Sequence, residues 1–564
     1  MKTELLGVVA SFLLTLLLAF PLGKYISKVF RKEKNWFDFM APFERFIFRI
    51  CGIDVTREMN WKQHVAALLS LNMLWLVYAF VMFLFQGSLF GNPDSNPSMS
   101  AHLSFNTAIS FLTNCNLQDY APETGATYLI QLAVLMFLHF VSAATGIAAL
   151  VVVFKAMQDK VVDKMGNFFE LFLKSITRIL LPISLVIALL LVFHGTPASF
   201  DGKDTLITMQ GDTSVVSRGP AAGMIAIKHL GTNGGGWFGA NSAHPLENPD
   251  YFTNIVEIVA QCLIPFALVF SLGFFLNRKK MAWSIFGVMT VGMLCFLLPA
   301  MHAEMKGNPA FDHMGLSQTT GNMEGKEQRF GPAASSYWSI LTTVISTGSI
   351  NAAHDSFMPV GGAMQMLGMM TNCFYGGNGV GILNYYIFII IAVFISGLMV
   401  GRTPEFLGRK IEAKEMKIAT IIALLHPLLI LTFTAISSFA ITKNPELSWL
   451  NNKGYHGFSE MLYQYTSSSA NNGSGYEGLG DNTPFWNITT GFVMLLGRFL
   501  PIIGPMAIAG VLARKKFIPE SAGTLRTDTA TFGVMTYAVI MILAALAFFP
   551  ALTLGPLAEY FSFR

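Results

Sequence analysis

Four short polar tetrads interrupt an otherwise apolar chain, and their residue types suit the coordination of a cation. They are Thr113-Asn114-Cys115-Asn116, Thr232-Asn233-Gly234-Gly235, Ser346-Thr347-Gly348-Ser349 and Asn471-Asn472-Gly473-Ser474. Glycine admits positive φ, which lets successive backbone carbonyls point the same way. Thr and Ser hydroxyls add further oxygen ligands. Rings of backbone carbonyls can replace the hydration shell of an ion in a selectivity filter. A lone Thr-Asn-Gly-Gly-Gly reads equally well as a turn or a helix-packing segment. The recurrence is what favours a filter. With Cys115, Gly234, Gly348 and Gly473 aligned, the tetrads lie 119, 114 and 125 residues apart, the near-constant interval of a duplicated unit.

Each tetrad needs elements that hold irregular backbone at membrane depth, which is tolerated only where it lines a cavity. A short amphipathic stretch precedes each one: SFNTAISFL, AAGMIAIKHL, SYWSILTTVI and FSEMLYQYTSSSA. As half-helices these would aim their negative dipole ends at the ion. An apolar span follows each. About 20 apolar residues cross a bilayer as a helix, and ten segments qualify, near 5–22, 65–85, 129–154, 177–193, 255–276, 281–300, 382–400, 418–441, 487–512 and 529–551. The expected fold is an all-α polytopic membrane protein, with four pseudo-repeated span–half-helix–filter–span units around one pore. The units occupy 65–155, 176–277, 281–401 and 417–513, after an N-terminal span and loop (1–64) and before a C-terminal span (528–564).

Composition agrees. Of 564 residues, 53% are hydrophobic and only 12% charged, about half the charge of an average soluble domain. Disordered and nucleic-acid-binding classes are thereby excluded. Five scattered cysteines offer no CxxC or Cys/His ligand spacing. Lys2 ahead of the first apolar run resembles a signal peptide, but no A-x-A site follows and the flank Lys24, Lys28, Arg31, Lys32, Lys34 is basic. This predicts a retained anchor. The loops 24–64, 155–178, 277–280, 402–417 and 513–528 hold 26 of the 37 Lys and Arg. The positive-inside rule places them in the cytoplasm and both termini outside. The formal charge of +4 then divides into +13 inside and −9 outside. Asp119, Glu247, Asp250, Asp355, Glu477 and Asp481 lie near the tetrads on the outer side, where they would concentrate cations.

Uphill transport needs an energy source, and none is written here. There is no GxxxxGK[ST] loop, no DKTGT-like phosphorylation string and no HExxH. The cytoplasmic loops are too short for a nucleotide-binding domain. Arg498, within a span, reads either as a positive barrier below the filter or as a structural Arg tied to carbonyls. Glu257, near an outer span end, reads as a snorkelled interface residue. His139 and His426, single on apolar spans, read as satisfied structural histidines. In the third unit, Thr371-Asn372-Cys373-Phe374-Tyr375-Gly376-Gly377-Asn378-Gly379 breaks what should be one span. That predicts a discontinuous helix of the gating kind, or else an outer loop that dips.

The string Gly231-Thr232-Asn233-Gly234-Gly235-Gly236, followed by Ala240-Asn241-Ser242-Ala243-His244-Pro245-Leu246-Glu247-Asn248-Pro249, resembles the second filter region of the potassium-transporting ATPase A subunit of the Kdp system. Gly401-Arg402-Thr403-Pro404-Glu405 and Ser346-Thr347-Gly348 with Asn351 and His354-Asp355-Ser356 resemble other signatures of that family. The resemblance spans essentially the whole chain. It implies a channel-like subunit of the bacterial inner membrane that takes up potassium from the outer side and binds no ATP itself. The implied partners are a P-type ATPase catalytic B subunit, a C subunit, a small single-span F subunit and membrane lipid, with potassium passed to the B subunit through an intramembrane tunnel. It also implies that the four tetrads form the filter, that Gln118 influences potassium affinity, and that Arg498, Asn372, Gly376, Gly377 and Arg402 belong to the gate or barrier. Cys115, where the other tetrads have Gly, is a departure the family shares, and its thiol is expected to point away from the pore. The alternative is the filter subunit of an ion-motive symporter or a passive channel. An intramembrane enzyme would need convergent carboxylates or His pairs within the spans, and none is visible.

Overall fold

Burying backbone polar groups without water forces membrane-crossing segments into helices. The computed structural model describes residues 2–158, 161–399, 401, 403–518 and 526–563. Ten of its helices are long and apolar enough to cross a membrane: Glu4–Phe30, Trp61–Ser88, Tyr128–Gln158, Phe168–Phe193, Tyr251–Phe275, Lys279–His313, Val380–Met399, Ala413–Lys443, Pro484–Ala513 and Ala530–Leu554. Each covers one expected span, and most run further at their ends. The fourth begins at Phe168 rather than at 177 because its charges are neutralised locally. Arg178 pairs with Glu44 at 2.6 Å and with Asp38 at 2.7 Å, and Lys174 pairs with Glu170 at 2.8 Å. Glu44 belongs to a short amphipathic helix, Ala41–Ile50, that exposes Phe43, Phe46 and Ile50.

The spans divide into inner and outer ones in a fourfold pattern. In each unit the second span is the more buried. Burial of its apolar stretch is 89% for Tyr128–Gln158 against 22% for Trp61–Ser88, and 89% for Tyr251–Phe275 against 39% for Phe168–Phe193. It is 61% for Val380–Met399 against 56% for Lys279–His313, and 67% for Pro484–Ala513 against 22% for Ala413–Lys443. The inner spans therefore form the core, and the outer spans offer their apolar surface to lipid. The first helix is peripheral. It packs along Tyr251–Phe275, where Gly23 permits close approach: a Cβ there would sit 2.5 Å from the Ala267 carbonyl oxygen.

Between the outer and inner span of each unit lies a half-helix: Ala101–Leu112, Ala221–Leu230, Gly331–Ile345 and Gly454–Ala470. All four are buried over most of their length. The third unit has an additional helix, Pro359–Thr371, and then a sharp turn into Val380–Met399. This is the discontinuity that the Gly-rich string leads one to expect. The chain also carries a β-hairpin (Asp204–Ile207 with Thr213–Val216), a short antiparallel pair (Glu405–Phe406 with Arg409–Lys410) and a C-terminal helix, Pro556–Ser562.

Candidate functional site

The four tetrads begin where the four half-helices end, and the backbone repeats the same manoeuvre each time. The N–H groups of Cys115, Asn233, Thr347 and Asn472 donate to the carbonyls of Ser110, Lys228, Thr342 and Ser467, five residues back, at 3.0, 2.9, 2.8 and 2.9 Å. On either side of that residue the chain is left-handed: Asn114 and Asn116, Thr232 and Gly234, Ser346 and Gly348, Asn471 and Gly473 all have φ between 50° and 103°. Alternating the sign of φ turns successive carbonyls to one side, as a carbonyl ligand ladder requires.

This register corrects the alignment read from the sequence. The residue equivalent to Gly234, Gly348 and Gly473 is Asn116, and Cys115 is equivalent to Asn233, Thr347 and Asn472. The sequence offers no glycine to anchor the first tetrad. Asn substitutes for Gly there because it is among the few side chains that visit the left-handed region routinely. The Cys115 Sγ is fully buried and directed towards the Ser467 carbonyl, 4.0 Å away on the fourth half-helix.

The four strands close on one another in cyclic order. A Cβ at Gly234 would overlap the Thr347 carbonyl oxygen, one at Gly348 the Asn472 oxygen, and one at Gly473 the Cys115 oxygen. A Cβ at Gly235 would stand 2.8 Å from that of Asn116, which closes the circuit. Side chains brace it from outside. Thr342 and Ser467 hydroxyls accept from the N–H groups of Gly348 and Gly473 at 2.9 and 3.0 Å. The Asn114 amide donates to the Thr232 carbonyl at 2.5 Å, Asn233 to Asn114 Oδ1 at 2.9 Å, and Asn472 to the Thr342 carbonyl at 2.7 Å. The Ser346 hydroxyl donates to the Ala470 carbonyl at 2.8 Å, and the Asn471 amide to that of Met494 at 3.0 Å. Gln118 Oε1 accepts the Gly236 N–H at 3.1 Å, tying the first tetrad to the second at the outer end.

Where the third and fourth units place a hydroxyl, the second has Lys228. Its ammonium turns away from the strand to Glu247, Asn241 Oδ1 at 2.6 Å and Ser242 Oγ at 3.1 Å. Asn241 in turn donates to the Gly234 carbonyl at 2.9 Å. Beside them His229 Nε2 meets Glu257 Oε2 at 3.0 Å, with both residues fully buried. Glu257 is therefore no snorkelled interface residue. It sits behind the second half-helix, because a buried imidazole and ammonium need a compensating carboxylate. The lone Lys in AAGMIAIKHL was the available signal for this network, since a buried Lys requires an acidic partner. His139 also departs from expectation: neither ring nitrogen has a hydrogen-bond partner among the described residues, and the ring stacks on Phe111 at 5.4 Å. His426 is satisfied, by Ser469 Oγ at 2.7 Å and the Met369 carbonyl at 3.0 Å.

The break in the third unit wedges against the inner ends of the half-helices. Asn372 closes its helix in a left-handed conformation, and its carbonyl accepts from Asn384 at 2.8 Å. Gly376 packs against Gly381, and the Gly377 N–H donates to the Ile345 carbonyl at the end of the third half-helix. The Asn378 amide donates to the Leu230 carbonyl, ending the second half-helix, at 2.9 Å, and its backbone N–H donates to Thr232 Oγ1 at 3.0 Å. Arg498 approaches the same place. Its Nη2 donates to the Ser142 carbonyl at 3.2 Å and would stand 3.4 Å from a Cβ at Gly146, which also packs on Asn378. No carboxylate among the described residues pairs with it. Asn372, Gly376, Gly377 and Arg498 thus gather near the half-helix ends where the tetrads begin, whereas Arg402 lies outside the described residues.

At the outer end, Asp119 follows the first tetrad. It is 5% exposed, neither oxygen meets a donor, and it faces Asp481. Burial, reinforced by the charge of Asp481, pushes the Asp119 carboxyl well above the usual carboxylate range. Burial likewise raises Asp481, to about 6.

The comparisons with known proteins agree in direction. The family described as potassium-transporting ATPase A subunit matches residues 9–561. A "Potassium-transporting ATPase potassium-binding subunit" of Flavobacterium johnsoniae is 65% identical over 574 residues, covering 100% of both chains. Proteins of the same description from Bacteroides thetaiotaomicron and Geobacillus kaustophilus are 57% and 46% identical, covering 100% and 98% of both chains. Among solved structures, the potassium transporter TrkH of Vibrio parahaemolyticus superposes with a TM-score of 0.52, covering 89% of this chain and 98% of that one. At 12% identity that likeness concerns the fold alone.

Proposed function

The chain belongs to the family of potassium-transporting ATPase A subunits, and from that premise we propose that the ring of tetrads is its potassium selectivity filter. In this reading potassium enters from the outer side and sheds its water onto the carbonyl ladder. It is then diverted through an intramembrane tunnel to the P-type ATPase B subunit of a complex that also holds a C and a small F subunit. The chain itself hydrolyses nothing and acts as the non-catalytic, potassium-binding subunit. In this reading the chain is built of four repeats, at 65–155, 176–277, 281–401 and 417–513.

One observation carries the proposal: the fourfold recurrence of the left-handed pair around a residue bonded five positions back. Loops that merely connect spans have no reason to share it. A lateral route is supported by a cavity of about 90 Å³ beside the break, lined by Asn372, Asn384, His426, Ser469, Gly497 and Phe548 among others. Arg498 and the wedge beneath the ring argue against the alternative of a passive channel, whose axis they would obstruct.

Gly234→Asp tests the assignment. A side chain there collides with the Thr347 carbonyl and brings a charge into the ring. In the purified complex, potassium-stimulated ATP hydrolysis should require at least about tenfold more potassium and discriminate less against sodium, a loss of about 1.4 kcal/mol. A complex that assembles normally and keeps both affinity and selectivity overturns the filter.

A further inference from the structure

Beside the third and fourth tetrads, but outside both, three elements bring a histidine and three carboxylates together. Asp355 lies in the turn His354–Ser356, after the third tetrad. His456 and Glu460 sit one helical turn apart in Gly454–Ala470, so that they share a face. Glu559 comes from the C-terminal helix Pro556–Ser562. His456 Nε2 is 2.7 Å from Asp355 Oδ1, and its Nδ1 is 2.9 Å from Glu559 Oε1. The geometry points to a divalent transition-metal site, of the kind that takes zinc, with Asp355, His456 and Glu460 as ligands and Glu559 as the residue that orients the imidazole.

Four observations support this assignment. One ligand atom from each of the three residues lies within 4.8 Å of the others. Ligands placed tetrahedrally about 2.0–2.1 Å from zinc stand roughly 3.3 Å apart, so the site needs only a small adjustment, with Asp355 moving off Nε2 and Glu460 drawing in. Glu460 is fully buried, yet its Oε2 has no hydrogen-bond partner among the described residues, while Oε1 is held by Asn452 at 2.9 Å. A buried carboxylate oxygen left without a donor calls for a cation. Gly478 supplies the room: a Cβ there would stand 2.7 Å from Asp355 Oδ2 and 2.8 Å from Glu460 Oε1. The pairing of Nδ1 with Glu559 is the arrangement by which metal-binding histidines fix their orientation, the second ring nitrogen donating to a carboxylate.

The donor set selects the metal class. One imidazole with two carboxylates suits zinc, whereas magnesium and calcium prefer oxygen throughout. His456 and Asp355 retain 20% and 14% side-chain exposure, which gives solvent a route in. On binding, the metal takes the Nε2 lone pair, and the proton that now bridges to Asp355 leaves for solvent, so charge and protons balance. The bound ion would fasten the C-terminal helix, through Glu559 and His456, to the fourth half-helix. None of this rests on the transport reading.

The test uses the intact purified complex, stripped with a chelator and titrated with zinc chloride in excess magnesium. We expect one zinc per copy of this chain to survive gel filtration. His456→Ala and Glu460→Gln should each lower affinity by more than about 100-fold, and Glu559→Gln by about 10- to 100-fold, with potassium-stimulated ATP hydrolysis of the metal-free complex unchanged. Cobalt loaded into the unmodified complex should give visible absorption bands, a readout that needs no variant. No saturable zinc uptake, uptake equal in both ligand variants, or a colourless cobalt complex overturns the site.

Discussion

Arg498 carries a permanent charge into the protein interior, at a cost of about 2.5–3.5 kcal/mol on insertion scales. Its hydrogen bond to the Ser142 carbonyl returns part of that. The rest is accounted for if the charge opposes a cation descending from the ring. Like charges repel strongly where the effective dielectric is well below that of water, so a guanidinium beneath the ring slows a potassium ion leaving it. Arg498→Ala should therefore produce potassium leak through proteoliposomes without ATP, measured as rubidium flux, and lower the potassium moved per ATP. A tight membrane with unchanged coupling would reduce Arg498 to a brace for Ser142. Residues were the least legible scale in the sequence. Glycines announce three of the tetrads, but Asn116 is a left-handed residue without a glycine's signature, so spacing alone aligns the first tetrad one position early. The partners of Lys228 and His229 are up to 28 residues along the chain, and only the fold shows that Glu247 and Glu257 meet them.

Elements were far easier to read, because a run of twenty apolar residues has one stable fate in a bilayer. Each of the ten expected spans has a long apolar helix over it, and a short buried helix precedes each tetrad. What escaped was amphipathic or short. The helix Ala41–Ile50 hides in a basic loop because its acidic face answers an Arg in another span. The broken helix of the third unit was legible from its glycines, and its backbone explains their number. Gly379 has φ +101°, and a Cβ there would stand 2.5 Å from the Gly146 carbonyl oxygen, so Gly379→Ala strains the wedge by about 1–3 kcal/mol. We expect the potassium concentration for half-stimulation to stay within about twofold while maximal ATP hydrolysis falls at least fivefold, roughly 1 kcal/mol on the barrier. A rise in the half-stimulating concentration at full maximal rate would place the wedge in binding rather than in release.

At the scale of the whole molecule, the nearly neutral total charge conceals a strong polarity: +13 on one side of the ten spans and −9 on the other. If the basic loops face the cytoplasm, Cys51, exposed at the end of Ala41–Ile50, is reachable only from within. A membrane-impermeant maleimide should label it in inside-out vesicles and leave it unmodified in intact spheroplasts. Labelling from outside would invert the topology and, with it, the direction in which the ring is filled. The acidic outer loops fit the same orientation, since Asp119 and Asp481 then stand where a cation arrives.

The circuit of strands has a consequence for how this protein tolerates change. Each glycine of the ring rests on a peptide group of its neighbour, with no side chain between them. The width of the opening is thus a covalent measurement, set by bond lengths and peptide planes that every sequence shares, and not by rotamers that drift with temperature or substitution. Relatives that differ at a third to a half of their positions can therefore carry an aperture of the same gauge. The surrounding helices are free to vary as long as they deliver four chain ends to the same circle.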